Sequence, residues 1–273
     1  MLANQKPDGD LYSGGSKYTW LYSHGIAAIA LCEAYGMTRD EALREPAQRA
    51  LNFIAAAQHP TEGGWRYAPR TGTDTSVSGW QMMALKSGEL AGLEVRSGCY
   101  PGVARWLDAA QGPSGNPSRY AYRPSAQNQH QREPSKTMTA EALLMRLYLS
   151  WERTNPYLVQ GADYLKENLP DVGTLEAPQR DAYYWYYATQ FMFQMQGDHW
   201  QAWNDRLRPL LVESQAQEGP LAGSWDPRAP VPDRWQDAGG RIYVTTMHLL
   251  MLEVYYRHLP LYRNLSGDEA GAP

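Results

Sequence analysis

The stretch GGWRYAPRTGTDTSVSGW, residues 63–80, sets one acid, Asp74, in a Thr-Asp-Thr-Ser cluster at the head of an apolar run. An acid in that place can do proton chemistry, or it can cap a helix whose first N–H groups lack partners. The positive end of a helix dipole favours the ionised form, the opposite of what a proton donor requires, so a cap facing a cavity is the expectation. His24 is the second candidate for proton transfer, so Asp74 and His24 form the candidate catalytic pair. Cys32 lies eight residues beyond His24, slightly more than two helical turns. With His248 these residues sketch a nitrogen and sulfur metal set. A packed cysteine and two hydrogen-bonded histidines explain the same pattern more simply, and no metal is expected. Glu141 and Asp181 are further acids, but no spacing pairs two carboxylates as glycoside hydrolysis requires.

These residues sit in a repeat. Similar turns begin at Gln5, Gln58, Gln111 and Gln217, the first two steps being 53 residues and the last twice that. A degenerate copy falls near Tyr164, where YLKENLPDVGTL keeps the glycine and loses the Gln and Trp. Between the turns lie two kinds of helical pattern. Runs at 19–36, 75–92, 136–152, 181–196 and 241–259 are apolar on most faces, the mark of a helix packed on several sides. Alternating runs are amphipathic: Ala47, Leu51, Ile54 and Ala55 share one face, with Arg44, Gln48, Arg49 and Asn52 opposite, and Trp200, Trp203, Leu207, Leu210 and Leu211 form a second such stripe. Thr38 with Glu41 reads as a capping box, and Asn155-Pro156 as an N-cap followed by proline at the first helical position. Gly36, Gly92, Gly161 and Gly197 are terminators or small packing positions. Strand signals are scarce. The prediction is an all-α chain in two concentric layers, with a curved open solenoid as the competing geometry.

Composition narrows the partners. The chain has 273 residues, 43% apolar and 20% charged, with a net charge of −4 and no basic block, so nucleic acid is not expected. Two cysteines make no disulfide framework. No run approaches the roughly 20 apolar residues of a membrane span, and the N-terminus lacks the pattern of a signal peptide. A cytoplasmic location is the default, and the opening residues read like a piece of a longer protein. Tyr and Trp number 19 and 10 against 3 Phe, a balance suited to surfaces that are half apolar and half wet.

The Gln…Gly-x-Trp turns, clearest as Gln58…Gly63-Gly64-Trp65 and Gln217…Gly223-Ser224-Trp225, resemble the QW motifs of squalene-hopene and oxidosqualene cyclases. Through its period the whole chain resembles the terpenoid cyclase and protein prenyltransferase superfamily, nearest to bacterial prenyltransferase and squalene-oxidase repeat proteins. The resemblance implies an α/α-toroid of inner and outer helix rings, incomplete or open because four and a half hairpins are few for a full ring. It makes Gln58, Trp65, Gln217 and Trp225 structural braces of the repeat turns. Cyclases that protonate an alkene carry Asp-x-Asp-Asp-Thr; here the aligned residues are Thr71-Gly72-Thr73-Asp74-Thr75, with Thr73 in the donor's place. The Asp-x-Cys zinc pair of prenyltransferases is missing at both Cys32 and Cys99, and no cofactor is expected.

In such a ring the inner helices all start at one mouth of a central cavity. Tyr22, Thr75, Thr137, Tyr184, Trp185, Thr245 and His248 are then the candidate lining. The leading expectation is a single domain over 1–273 that holds a hydrophobic, isoprenoid-type or other lipid-like ligand, with the ring able to close by oligomerisation. The alternatives are a non-catalytic binding module and a carbohydrate-active α/α-toroid enzyme.

Overall fold

Ten α-helices and two short 3₁₀ turns carry the described residues, 2–112 and 115–256 of a computed structural model. The helices are α1 (Trp20–Thr38), α2 (Glu41–Ala57), α3 (Thr75–Leu90), α4 (Cys99–Ala109), the four-residue α5 (Gln129–Arg132), α6 (Lys136–Tyr148), α7 (Pro156–Lys166), α8 (Ala182–Met195), α9 (Gly197–Ser214) and α10 (Gln236–Leu252). The protein is all-α: strand pairing among these residues is limited to isolated bridges such as Trp65 with Asp74 and Gln215 with Trp225. Residues 257–259 of the last apolar run, and Pro113 and Ser114 of the third turn, lie outside the described residues.

The two kinds of helical pattern separate in space. The apolar helices form one row in which α1 packs on α3, α3 on α6, α6 on α8 and α8 on α10. Thr75 through Gly88 of α3 are all buried, and so are Ala182 through Met192 of α8. The amphipathic helices α2, α7 and α9 pack behind this row on α1, α6 and α8, each burying one stripe, such as Ala47, Leu51 and Ile54 of α2. The two ends of the row, α1 and α10, are not joined by packing like that between neighbours within it, among the described residues.

Two of the turns are tied to the outer layer by an indole. The indole Nε1 of Trp65 donates to the Ile54 carbonyl at 2.7 Å, and that of Trp225 to the Leu211 carbonyl at 2.8 Å. Both carbonyls lie near the end of the preceding outer helix, and both indoles are fully buried. In the degenerate copy the phenol of Tyr184 takes this task, donating to the Asn168 carbonyl at 2.7 Å. A second tie joins each turn to its inner helix. The backbone N–H of Leu11, Trp65, Tyr120 and Trp225 donates to His24 Nδ1, Ser78 Oγ, Thr139 Oγ1 and Thr245 Oγ1, at 3.1, 3.0, 3.1 and 3.1 Å.

Two local expectations are corrected. Gln58 follows the last residue of α2 and donates to the Gly63 and Cys99 carbonyls at 2.6 and 3.0 Å, which joins α2 to the start of α4. Its counterpart after α9 is Gln215, which donates to the Gly223 carbonyl at 2.9 Å. Gln217 reaches only the Gln215 carbonyl at 3.0 Å, because Gln215 already occupies the position after α9 that Gln58 holds after α2. The capping box at Thr38 also shifts. Arg39 turns left-handed (φ 55°) and ends α1, so Asp40 caps α2 by accepting the Ala42 N–H at 3.0 Å. Asn155 does cap α7, with Pro156 opening the helix.

Candidate functional site

Asp74 is the N-cap of α3, where Oδ1 accepts the Val77 N–H at 2.8 Å. Its other oxygen accepts the Tyr122 hydroxyl at 3.0 Å, and that hydroxyl lies 2.6 Å from the Tyr67 hydroxyl. Arg66 Nε stands 3.5 Å from the same oxygen. The carboxyl is fully buried. Burial pushes its pKa up to about 6, against the opposing pull of the Val77 N–H, Tyr122, Arg66 and Arg123. The cap is therefore in place, but burial makes its ionised form less favoured than in a free carboxyl group. A helix dipole contributes about 0.3–1 kcal/mol, whereas removing a carboxylate from water costs several kcal/mol.

In the first turn of α3, Ser76 Oγ accepts the Tyr22 hydroxyl of α1 at 2.8 Å and lies 2.6 Å from the Tyr183 hydroxyl of α8. Tyr183 in turn donates to Glu141 of α6, 3.3 Å from both carboxyl oxygens. Glu141 is fully buried and occupies space that only a glycine leaves open: a Cβ on Gly79 of α3 would run into Glu141 Oε1. Burial, joined by the charge of Asp74, raises its pKa well above the ordinary carboxyl range despite the hydroxyls of Tyr187 and Tyr183. Burial thus favours the protonated form of Glu141. Sequence reasoning left it unpaired; the available signal was one acid inside a helix otherwise apolar on most faces.

The starts of the inner helices therefore meet in a polar, aromatic mouth. Its partly exposed members are Tyr22, Tyr67 and Tyr122, and the exposed Tyr18 packs edge-on against Tyr67 at 5.4 Å. Tyr183 connects this group to the exposed Trp235, with ring centroids 6.4 Å apart. Behind the mouth, Trp80 stacks on Tyr186 and meets Tyr187 edge-on, both at 5.5 Å. These three rings are buried and fill the space between α3 and α8.

The remaining candidates divide. Thr75 Oγ1 donates to the Ala121 carbonyl at 2.7 Å beneath the mouth, and Thr137 lies partly exposed in the first turn of α6. His24 is sealed. Its Nδ1 accepts the Leu11 N–H and lies 3.3 Å from the buried Asp10 carboxyl, its Nε2 is 3.2 Å from the Ala50 carbonyl, and its ring packs on Phe53 at 4.6 Å. The tautomer with hydrogen on Nε2 satisfies both bonds. His24 is then the acceptor that Ser78, Thr139 and Thr245 are in the other repeats, and it leaves no nitrogen for a ligand.

Tyr184 turns to the outer layer, edge-on to Trp203 at 5.7 Å. Trp185 stacks on His248 at 6.2 Å, and Trp225 meets the same imidazole edge-on at 5.2 Å. His248 is buried with neither nitrogen hydrogen-bonded. Burial, followed by the charge of Arg180, lowers its pKa to about 3, so it is a neutral ring among indoles. Tyr184, Trp185, Thr245 and His248 consequently do not join Tyr22 and Asp74 around one chamber. Thr245 is occupied by the Trp225 N–H.

Cys32 is buried, which pushes its thiol up to about 12, and among the described residues no group of three or more His, Cys, Asp and Glu side chains is placed to hold a metal ion. None of the described helices is long and apolar enough to cross a membrane. A surface groove of about 450 Å³, lined by residues that include Ser214, Leu221, Asp226 and Arg241, shares no residue with the mouth. No protein-family model matches the chain, and no curated protein matches it significantly.

Proposed function

We propose that the protein is a helical-repeat binding module, built like the cyclase and prenyltransferase repeat proteins it resembles, and that its ligand sits at the mouth formed by the inner-helix starts. The observation that carries this reading is the filling of the inner row by its own rings. Trp80, Tyr186 and Tyr187 lie against one another where an isoprenoid chain would have to run. Two further observations favour binding over cyclisation. His24 is enclosed by two backbone groups and the Asp10 carboxyl, and Asp74 caps a helix under Tyr122. The superfamily relationship draws support from the repeated indole-to-carbonyl tie and from the two layers of helices.

The mouth suits a hydroxyl-rich ligand such as an oligosaccharide. Tyrosine and tryptophan rings offer faces on which sugar rings stack, and their hydroxyls offer paired donors and acceptors. Calorimetric titration with soluble oligosaccharides, and in parallel with farnesol and squalene in detergent, tests this. Saccharide binding that weakens about tenfold in Tyr67→Ala, on loss of a stacked ring, is the expected result. Binding of the isoprenoids alone, unchanged by Tyr67→Ala, would replace this reading with the hydrophobic-ligand one.

A further inference from the structure

We infer that Glu141 is the inner terminus of a proton relay that runs through the hydroxyls of Tyr183, Ser76 and Tyr22 to the mouth, where it exchanges one proton with an oxygen-bearing ligand or with water. Four oxygens on four different inner helices are in line. Tyr22 donates to Ser76 at 2.8 Å, Ser76 and Tyr183 share a bond of 2.6 Å, and Tyr183 donates to Glu141 at 3.3 Å. Glu141 lies at the buried end and Tyr22 at the partly exposed end.

A buried carboxyl group without a cation is costly to keep, and the chain makes room for it with a glycine at position 79. The titratable groups that bear on it are Tyr183 and Tyr187 of α8, Asp74 at the start of α3, Tyr22 of α1 and Tyr243 of α10. None of them is basic, so none competes for its proton. When the relay releases a proton outward, the Tyr22 O–H bond breaks as the acceptor takes the hydrogen. Before release the hydroxyls are turned to donate toward the mouth; Ser76 then reprotonates Tyr22, Tyr183 reprotonates Ser76, and Glu141 reprotonates Tyr183 and ends as the carboxylate, which leaves Tyr22 donating to Ser76 and Tyr183 to Glu141. The reverse sequence restores the acid. No oxidant, reductant or leaving group is involved.

The inference does not depend on which ligand the mouth binds, and its test needs none. Infrared spectroscopy of the whole chain near neutral pH should show the C=O band of a protonated carboxyl group, assigned by ¹³C-labelled glutamate and by its loss in Glu141→Gln. On transfer to D₂O the band shifts as the proton exchanges. Ser76→Ala should slow that exchange by about tenfold or more, the rate counterpart of one lost hydrogen-bonded link, while Ser76→Thr restores it. The labelled band stands as an assignment whether or not Glu141→Gln folds. The absence of any protonated-glutamate band would overturn the inference, and so would exchange equally fast in Ser76→Ala and in the unsubstituted chain. Loss of saccharide binding alone would leave these rates unchanged and would count only against the ligand reading.

Discussion

Asp74→Asn offers a direct measure of the carboxyl group at the mouth. Asn retains an acceptor for the Val77 N–H that Asp74 caps, so the helix start is preserved. What it removes is the titration. Folding raises the Asp74 pKa from 3.8 to about 6, so the folded chain holds this proton more tightly than the unfolded one. Its contribution to stability is full below the unfolded value and is lost as pH rises through about 6. The shift of roughly two pH units corresponds to about 3 kcal/mol. Urea unfolding of both proteins from pH 4 to pH 7 gives the difference in stability at each pH, in which titrations common to the two proteins cancel. Asp74→Asn should gain about 2 kcal/mol or slightly more on the unsubstituted chain across that window, since at pH 4 the unfolded carboxyl is already partly ionised. A flat difference, or one moving in favour of the unsubstituted chain as pH rises, would refute the reasoning. The helix dipole and Arg66 would then outweigh burial.

Other substitutions separate braces from bystanders. Trp65→Ala should cost about 3–5 kcal/mol in urea unfolding, since it empties a fully buried site and strands the Ile54 carbonyl. Gln58→Ala should cost about 1–3 kcal/mol through two lost bonds, whereas Gln217→Ala should stay within about 0.5 kcal/mol; equal losses would restore Gln217 as the brace. His24→Ala should destabilise by about 2 kcal/mol or more because it frees the Leu11 N–H and the Ala50 carbonyl. An unchanged urea midpoint combined with weaker ligand binding would return His24 to the ligand site.

The all-α class and the division into inner and outer helices were readable because burial leaves a period. Helices packed on all sides lose their polar stripe, and the runs at 75–92 and 181–196 did so. Trp65 and Trp225 stood out because each closes a Gly-containing turn, but the donation of their indoles to the Ile54 and Leu211 carbonyls was not legible. Contacts between helices far apart in the chain carry no period. Tyr67 and Tyr122 lie in connectors, and backbone bonds from Asp74 to Trp65 and from Thr75 to Tyr122 hold both connectors beside the start of α3. Tyr184, Trp185 and His248 were read as lining because they follow inner-helix starts. Successive helical residues point about 100° apart, so Tyr183 reaches Ser76 while Tyr184 reaches the outer layer. The repeated N–H tie escaped notice because its acceptors are chemically mixed: His24, Ser78, Thr139 and Thr245 share a task and not a residue type.

The glycine beside each of the first two acceptors has a further consequence. A Cβ on Gly25 would strike the side-chain amide of Gln81, just as one on Gly79 would strike Glu141. Gln81 is also fully buried, and its Nε2 donates to the Leu21 carbonyl at 2.8 Å. Adjacent repeats thus lodge two isosteres, an amide and a carboxylic acid, in receptacles cut to one shape. Volume alone does not choose between them, so the acid at 141 is a chemical choice and its amide neighbour is an internal reference. Exchanging them, as Gln81→Glu with Glu141→Gln, would move the ionisable group one repeat along the row at nearly constant volume. The architecture then becomes a template in which the position of a single proton can be varied while the packing around it is kept.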